Sequence, residues 1–220
     1  MTSSDPRDLV RTLIRYAADF HQRGWMWGTS GNLSAKLSAS PLAIAITGSG
    51  ASKGELTLTD IAIAPEEARS AVPDLPACRG QASAETAIHL AVYRSRPDAG
   101  AVFHIHTVAS TALSLAHAPG LAAPGEVEVT GLEMLKGWNT PWQVGGLRAL
   151  IPVLPNLESM DALAREFTRL FAQGTTVPCI LVAGHGMTVW GRTPEEARNR
   201  LEIAEFICQV LWQQRLAKGR

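Results

Sequence analysis

Cysteine is scarce in this sequence: Cys78, Cys179 and Cys208 are far apart, odd in number and form no Cys-x-x-Cys pair. A disulfide framework is therefore not expected, and the three read as reduced, mostly buried thiols of a cytosolic protein. Net charge is absent too, since 20 basic residues balance 20 acidic ones. No basic run or face stands out, so neither nucleic acid nor a membrane surface is expected as a partner, and any affinity for anions must come from a local pocket. The same neutrality removes strong self-repulsion and favours association. No apolar run approaches the length of a membrane span. The first ten residues lack the basic and apolar regions of a signal peptide, so the expected location is the cytoplasm. A Walker GxxxxGK[ST] motif and a GxGxxG between strand and helix are also missing, which argues against a P-loop and against a dinucleotide site. What remains, 46% hydrophobic and 18% charged residues, describes a globular chain, read as one domain over residues 1–220.

Local signals divide the chain into short elements. Asp5 and Pro6 open a helix carrying Leu9, Leu13, Ile14, Ala17 and Phe20 at helical spacing, and Gly24 ends it. Strands are expected at Leu33–Leu37, Leu42–Thr47 and Ile61–Ala64, with residues 60–80 otherwise irregular. Ser83 can cap a helix running to about Arg94. The alternating Ala101–His106 stretch is a strand, followed by a helix at Val108–Ala116, a strand at Glu126–Thr130 and a short helical segment holding Glu133 and Lys136. Residues 137–150 should form a loop. Pro152 should confine the strand Ile151–Leu154 to a sheet edge. A helix at 159–172 and a buried strand at Cys179–Ala183 lead to the turn Gly184-His185-Gly186 and to Met187–Trp190. Thr193-Pro194-Glu195-Glu196 is the clearest helix start in the chain. Helices alternating with short strands suggest a layered α/β or α+β domain.

The histidines are not equivalent. His104 and His106 stand two apart on a strand, so both rings project from one face and two imidazole nitrogens come within reach of one ion. The bland alternative is an outward polar strand face. Two features tip the balance toward metal: the apolar Ala101-Val102-Phe103 that precedes the pair, and His185, held between two glycines after another apolar strand. Three histidines with one open position is the arrangement of a catalytic zinc. His89 follows Glu85 by one helical turn and is either a partner on the helix surface or a support for the site. His21 and His117 lie at helix ends and read as structural.

Two glycine- and hydroxyl-rich segments, Gly28-Thr29-Ser30-Gly31-Asn32-Leu33-Ser34 and Thr47-Gly48-Ser49-Gly50-Ala51-Ser52-Lys53, offer backbone N–H groups and few obstructing side chains. That is how a phosphate is bound without a deep basic patch. Gly31 is expected to be glycine so that the backbone can approach the ligand.

Taken in order, residues 28–34, Thr47-Gly48, Ser83-Ala84-Glu85-Thr86-Ala87-Ile88-His89, the Pro97-Asp98 turn, His104-Ile105-His106 and Gly184-His185-Gly186 resemble the class II aldolase/adducin family over nearly the whole chain. The resemblance implies a three-layer α/β/α sandwich around a mainly antiparallel sheet, one Zn2+ per subunit on His104, His106 and His185, and a homotetramer with sites between subunits. It also implies a small phosphorylated sugar as substrate, its phosphate held by Gly28, Thr29, Ser30, Gly31, Asn32, Thr47, Gly48 and Ser83. Ser83-Ala84-Glu85-Thr86, Glu133-Met134-Leu135-Lys136-Gly137 and His185–Gly191 resemble a dehydratase branch of the family. Ser83-Ala84-Glu85 departs from the Ser-Ser-Glu frequent in the aldolases. Only Tyr16 and Tyr93 are present, so the late tyrosine that some family aldolases and epimerases use is missing. Residues 137–150 do not match that branch, so substrate selection could differ. The resemblance favours Glu133 as the acid/base, while Glu85 stands where the aldolases place theirs, and both remain candidates. The competing readings are a sugar-phosphate aldolase and a non-enzymatic, adducin-like scaffold. The intact histidines argue against the scaffold.

Overall fold

The structure is a computed structural model and describes residues 5–71, 75–118, 120, 122–141 and 146–219. Residues 142–145 of the loop expected at 137–150, 72–74 of the irregular stretch and the first four residues lie outside the described residues. In chain order the elements are α1 (Pro6–Gln22), β1 (Asn32–Ala39), β2 (Leu42–Thr47), β3 (Ile61–Ala64), α2 (Thr86–Ser95), β4 (Ala101–Ile105), α3 (Val108–His117), β5 (Gly125–Thr130), β6 (Arg148–Leu154), α4 (Met160–Ala172), β7 (Cys179–Val182), β8 (Gly186–Gly191) and α5 (Pro194–Ala217). The helices start where capping chemistry lets them. Asp5, Thr107, Ser159 and Thr193 each accept a hydrogen bond from a backbone N–H of the first turn, satisfying donors that the helix leaves free.

The strands form one sheet in the order β3-β2-β1-β4-β8-β7-β6-β5. Only the β6–β7 pair is parallel among the described strands. Alternate residues face opposite ways, and both faces are apolar. Phe103, Leu181, Met187 and Val189 pack with α1, α3 and α5 residues such as Leu13, Leu113 and Leu201. Val102, Ile180, Val182 and Trp190 pack with residues of α2 and α4 such as Ile88, Leu163 and Phe167. Three layers follow from that two-sided burial. No helix among the described residues is long and apolar enough to cross a membrane.

Two expectations need correction. Pro152 does not mark an edge: β6 pairs with β5 on one side and with β7 on the other. The proline is tolerated because pairing to β7 begins only at Val153, beyond the position that lacks an N–H. The helix expected from Ser83 begins at Thr86 instead. The Ser83 hydroxyl accepts from the Glu85 N–H and its carbonyl from the Thr86 N–H and hydroxyl, so residues 83–85 form a turn. Glu85 thereby stands at the helix mouth.

Candidate metal and phosphate site

Strand register assembles the centre of the site. Asn32 of β1 lies opposite His104 of β4, and His104 lies opposite Thr188 of β8. The three side chains therefore form a row across adjacent strands, on the face that packs against α2. His104 is 1% exposed. Its Nδ1 is 2.9 Å from the Thr188 hydroxyl and its Nε2 is 2.9 Å from Nε2 of His106. With Nδ1 held by Thr188, Nε2 is the nitrogen presented to the site. His106 follows the last residue of β4, and its backbone N–H donates to the Trp25 carbonyl at 3.0 Å.

The glycines flanking His185 have separate jobs. Gly184 has φ +64° and makes the turn. A Cβ on Gly186 would lie 2.3 Å from the Ile105 carbonyl oxygen, so only glycine lets β8 close on β4. The turn is tied down by the Thr111 hydroxyl donating to the His185 carbonyl and the Gly184 N–H donating to Ser114. The three imidazole centroids end 4.6 to 5.0 Å apart.

Glu85 joins them from the mouth of α2. Its Oε1 is 2.9 Å from Nε2 of His185 and 3.6 Å from Nε2 of His104, and its Oε2 accepts from the Asn32 side-chain amide. One ligand atom from each of Glu85, His104, His106 and His185 lies within 4.8 Å of all the others. Burial would raise the Glu85 carboxyl, but His104, His185 and Asn32 outweigh it and hold the group below the usual carboxylate range. Burial pushes His104 down to about 4, with Glu85 partly opposing it. Burial and the neighbouring histidines push His106 down to about 3. At neutral pH both imidazoles are therefore uncharged and keep the lone pair that a metal ligand needs. Imidazole nitrogens with a carboxylate oxygen, and an outer hydroxyl fixing one ring, are a donor set that fits a divalent metal ion.

A second rung lies behind this cluster. Asn32 and Ser34, two apart on β1, point the same way, as do Glu85 and His89, four apart on α2. Asn32 meets Glu85, while the Ser34 hydroxyl lies 2.6 Å from Nδ1 of His89 and 2.9 Å from the Tyr93 hydroxyl. Two strand residues span about 7 Å and four helical residues about 6 Å, so the two rungs match in length and clamp α2 onto the sheet. His89 is wholly buried. This places it behind the site as a support, and it is no surface partner of Glu85.

The two glycine-rich segments adjoin. The Thr47 hydroxyl accepts from the Leu33 N–H, the Ser49 N–H donates to the Gln81 carbonyl, and Gly48 bridges to Ala82. Segments 28–32, 47–49 and 81–83 thus lie side by side, next to Glu85. Gly28 has φ +59° and open space where a Cβ would be. Gly31 has a further reason to be glycine: φ is +74°, and a Cβ would lie 2.7 Å from the Met26 Cε and 3.0 Å from the His104 carbonyl oxygen. Asn32 turns its amide to Glu85.

Glu133 is not part of this convergence. It opens a 3-10 turn, Glu133–Trp138, that is pinned on α5 by the Trp138 indole donating to the Arg200 carbonyl. Its side chain is 83% exposed and pairs with Lys136 at 2.7 Å. Sequence reasoning passed over Thr188 and Ser34, although Thr188 follows His185 closely enough to have been a candidate had the β4–β8 register been known.

Comparison with known proteins bears on this geometry. The family model described as the class II aldolase and adducin N-terminal domain matches residues 11–212. A methylthioribulose-1-phosphate dehydratase of Microcystis aeruginosa is 37% identical over 209 residues, covering 94% of this chain and 95% of that protein. The enzyme of the same name from Persephonella marina is 34% identical over 210 residues, covering 96% and 92%. Among solved structures, the L-fuculose-1-phosphate aldolase of Thermus thermophilus superposes with a TM-score of 0.69 at 24% identity, covering 96% of each chain. A sugar-phosphate aldolase of Thermotoga maritima gives 0.65 at 19% identity, covering 97% of each. These structural likenesses concern the fold alone.

Proposed function

The chain belongs to the class II aldolase and adducin family, and on that premise we propose that it is a metal-dependent lyase dehydrating 5-methylthioribulose 1-phosphate to 5-methylthio-2,3-dioxopentyl phosphate, in methionine salvage. The observation that carries the proposal is the convergence of Glu85, His104, His106 and His185 in a chain so similar along its length to dehydratases of that name. Zinc, one ion per subunit on His104, His106 and His185, is the proposed metal; when bound it polarises the substrate's C2 carbonyl and offsets the charge that develops on oxygen.

The chain's own residues do the rest. Segments 28–32 and 47–48, with Ser83, hold the phosphate and so place C3 and C4 at the cluster, through groups other than the Ser30 and Gly48 N–H, which donate to the Trp27 and Asp60 carbonyls. A carboxylate takes the proton from C3, the C4–O bond breaks, and the hydroxyl leaves as water with a proton returned by the acid. The resulting enol becomes the diketone as its hydroxyl proton passes to C4. Glu85 is a weak base where it stands, because both its oxygens are engaged and its pKa is depressed. We assign the proton transfers to Glu133, presented to the cluster of a neighbouring subunit in a cytoplasmic homotetramer. Its exposure supports that, as does Met134 beside it, an exposed apolar side chain of the kind subunit contacts cover.

Product identification by mass tests the reaction. Loss of one water from the intact sugar phosphate is expected, whereas two fragments would mean carbon–carbon cleavage and overturn the proposal. Mixing tests the assignment. Glu133→Gln and His104→Ala subunits should each be inactive alone, and co-assembled they should regain a fraction of wild-type turnover. No recovery would return both residues to one subunit.

A further inference from the structure

Lys53 is the one lysine or arginine buried among the described residues, at 1% exposure. Burying an ammonium is costly unless its donors find partners. Its Nζ donates to the carbonyls of Thr29 and Ala51, both at 2.8 Å, and those carbonyls belong to the two separate glycine-rich segments. An ammonium has three N–H donors, and the third meets no partner among the described residues. Lys53 forms no ion pair with a carboxylate among the described residues, where the buried Asp60 pairs with Arg79 and Glu85 with His104 and His185. The Thr29 carbonyl that Lys53 holds lies three residues before Asn32, whose amide meets Glu85, so segment 28–32 links the cation to the metal cluster. A second polar atom of the same place is also unsatisfied: the Ser30 hydroxyl is buried without a hydrogen-bond partner. In a chain with no net charge, this is where a local positive charge and spare donors coincide.

We propose that Lys53 supplies the charge for a phosphate monoester and staples segments 28–32 and 47–51 into one cradle for it. The inference rests on the reading of these segments as the phosphate site and extends it to a residue that reading left out. By drawing one carbonyl of each segment inward, the ammonium fixes the two segments against each other beside the unpartnered Ser30 hydroxyl. Lys53 acts on substrate binding and on the position of the loops, and it moves no proton.

The test titrates inorganic phosphate, by calorimetry, into the metal-loaded full chain and into its Lys53→Met variant, with metal content and circular dichroism measured alongside. The phosphate Kd should rise about tenfold or more, the scale of one charge-assisted hydrogen bond, with bound metal per chain unchanged. With the phosphorylated sugar, KM should rise while kcat changes much less. Should Lys53→Met not fold, Lys53→Gln keeps amide donors for the two carbonyls, removes the charge and carries the same expectation. A variant that binds phosphate as wild type does overturns the role of Lys53 alone. A wild type that binds no phosphate overturns the cradle as well. Dehydration is scored separately by product mass, so those failures remain distinguishable.

Discussion

Replacing Ser34 with alanine removes one hydroxyl and strands the buried His89 Nδ1, while the Tyr93 hydroxyl keeps only the Val102 backbone. Ser34 is 0% exposed, and His89 and Tyr93 are buried around it. Its oxygen lies 2.6 Å from Nδ1 of His89 and 2.9 Å from the Tyr93 hydroxyl. Whichever tautomer His89 adopts, water cannot replace what is lost. An unsatisfied buried polar group costs about 1–3 kcal/mol, so the change should cost roughly 2 kcal/mol, a large share of the 5–15 kcal/mol typical of a folded domain. For a chain of this length, that corresponds to a fall in Tm of about 4–8 °C. Urea unfolding should show a lower midpoint at unchanged slope, the mark of lost stability without altered compactness. The double variant with Tyr93→Phe should cost clearly less than the sum of the two singles, because both break the Ser34–Tyr93 hydrogen bond and the double variant loses it only once. A Ser34→Ala midpoint within about 2 °C of wild type, or strict additivity in the double variant, would refute the two-rung clamp of α2 on β1.

Burial holds the His89 pKa down to about 4 from an ordinary 6.5, against the pull of Glu85, so the unfolded chain binds more protons between those values. Its contribution is complete above pH 6.5 and is lost as pH falls toward 4, so metal-free protein should lose about 2 kcal/mol between pH 7 and 5 from this group; urea titrations of a folded His89→Asn variant with the same pH slope would count against it. Thr188→Val should weaken metal affinity about ten- to a hundredfold, as for loss of an outer partner, and chelator competition showing wild-type affinity would remove Thr188 from the site. Gly31→Val should lower both Tm and metal content, since its side chain would press on Met26 and on the His104 backbone; loss of phosphate binding with metal and Tm intact would instead mean that the loop opens outward.

Local chemistry settled much of this protein in advance. The caps at Asp5 and Thr193, the alternation that turns His104 and His106 one way, and the glycines around His185 all act over a few residues, so sequence alone placed those helices, that strand and that turn. The resemblance of the ordered motifs carried the layered fold further than periodicity could. Other features depended on which strand lies beside which, and at what register. Thr188 supports His104 because β8 pairs with β4 at that position, and Asn32 reaches Glu85 because β1 pairs with β4 one strand away. Pro152 sits inside the sheet because β7 joins only after it. Lys53 is buried because two loops far apart in sequence close over it. Glu85 and Glu133 could not be told apart by sequence, yet one lies among the histidines and the other in solvent. Local preferences act between near neighbours along the chain. Contacts across the sheet depend on the packing of the whole core, which no short stretch contains.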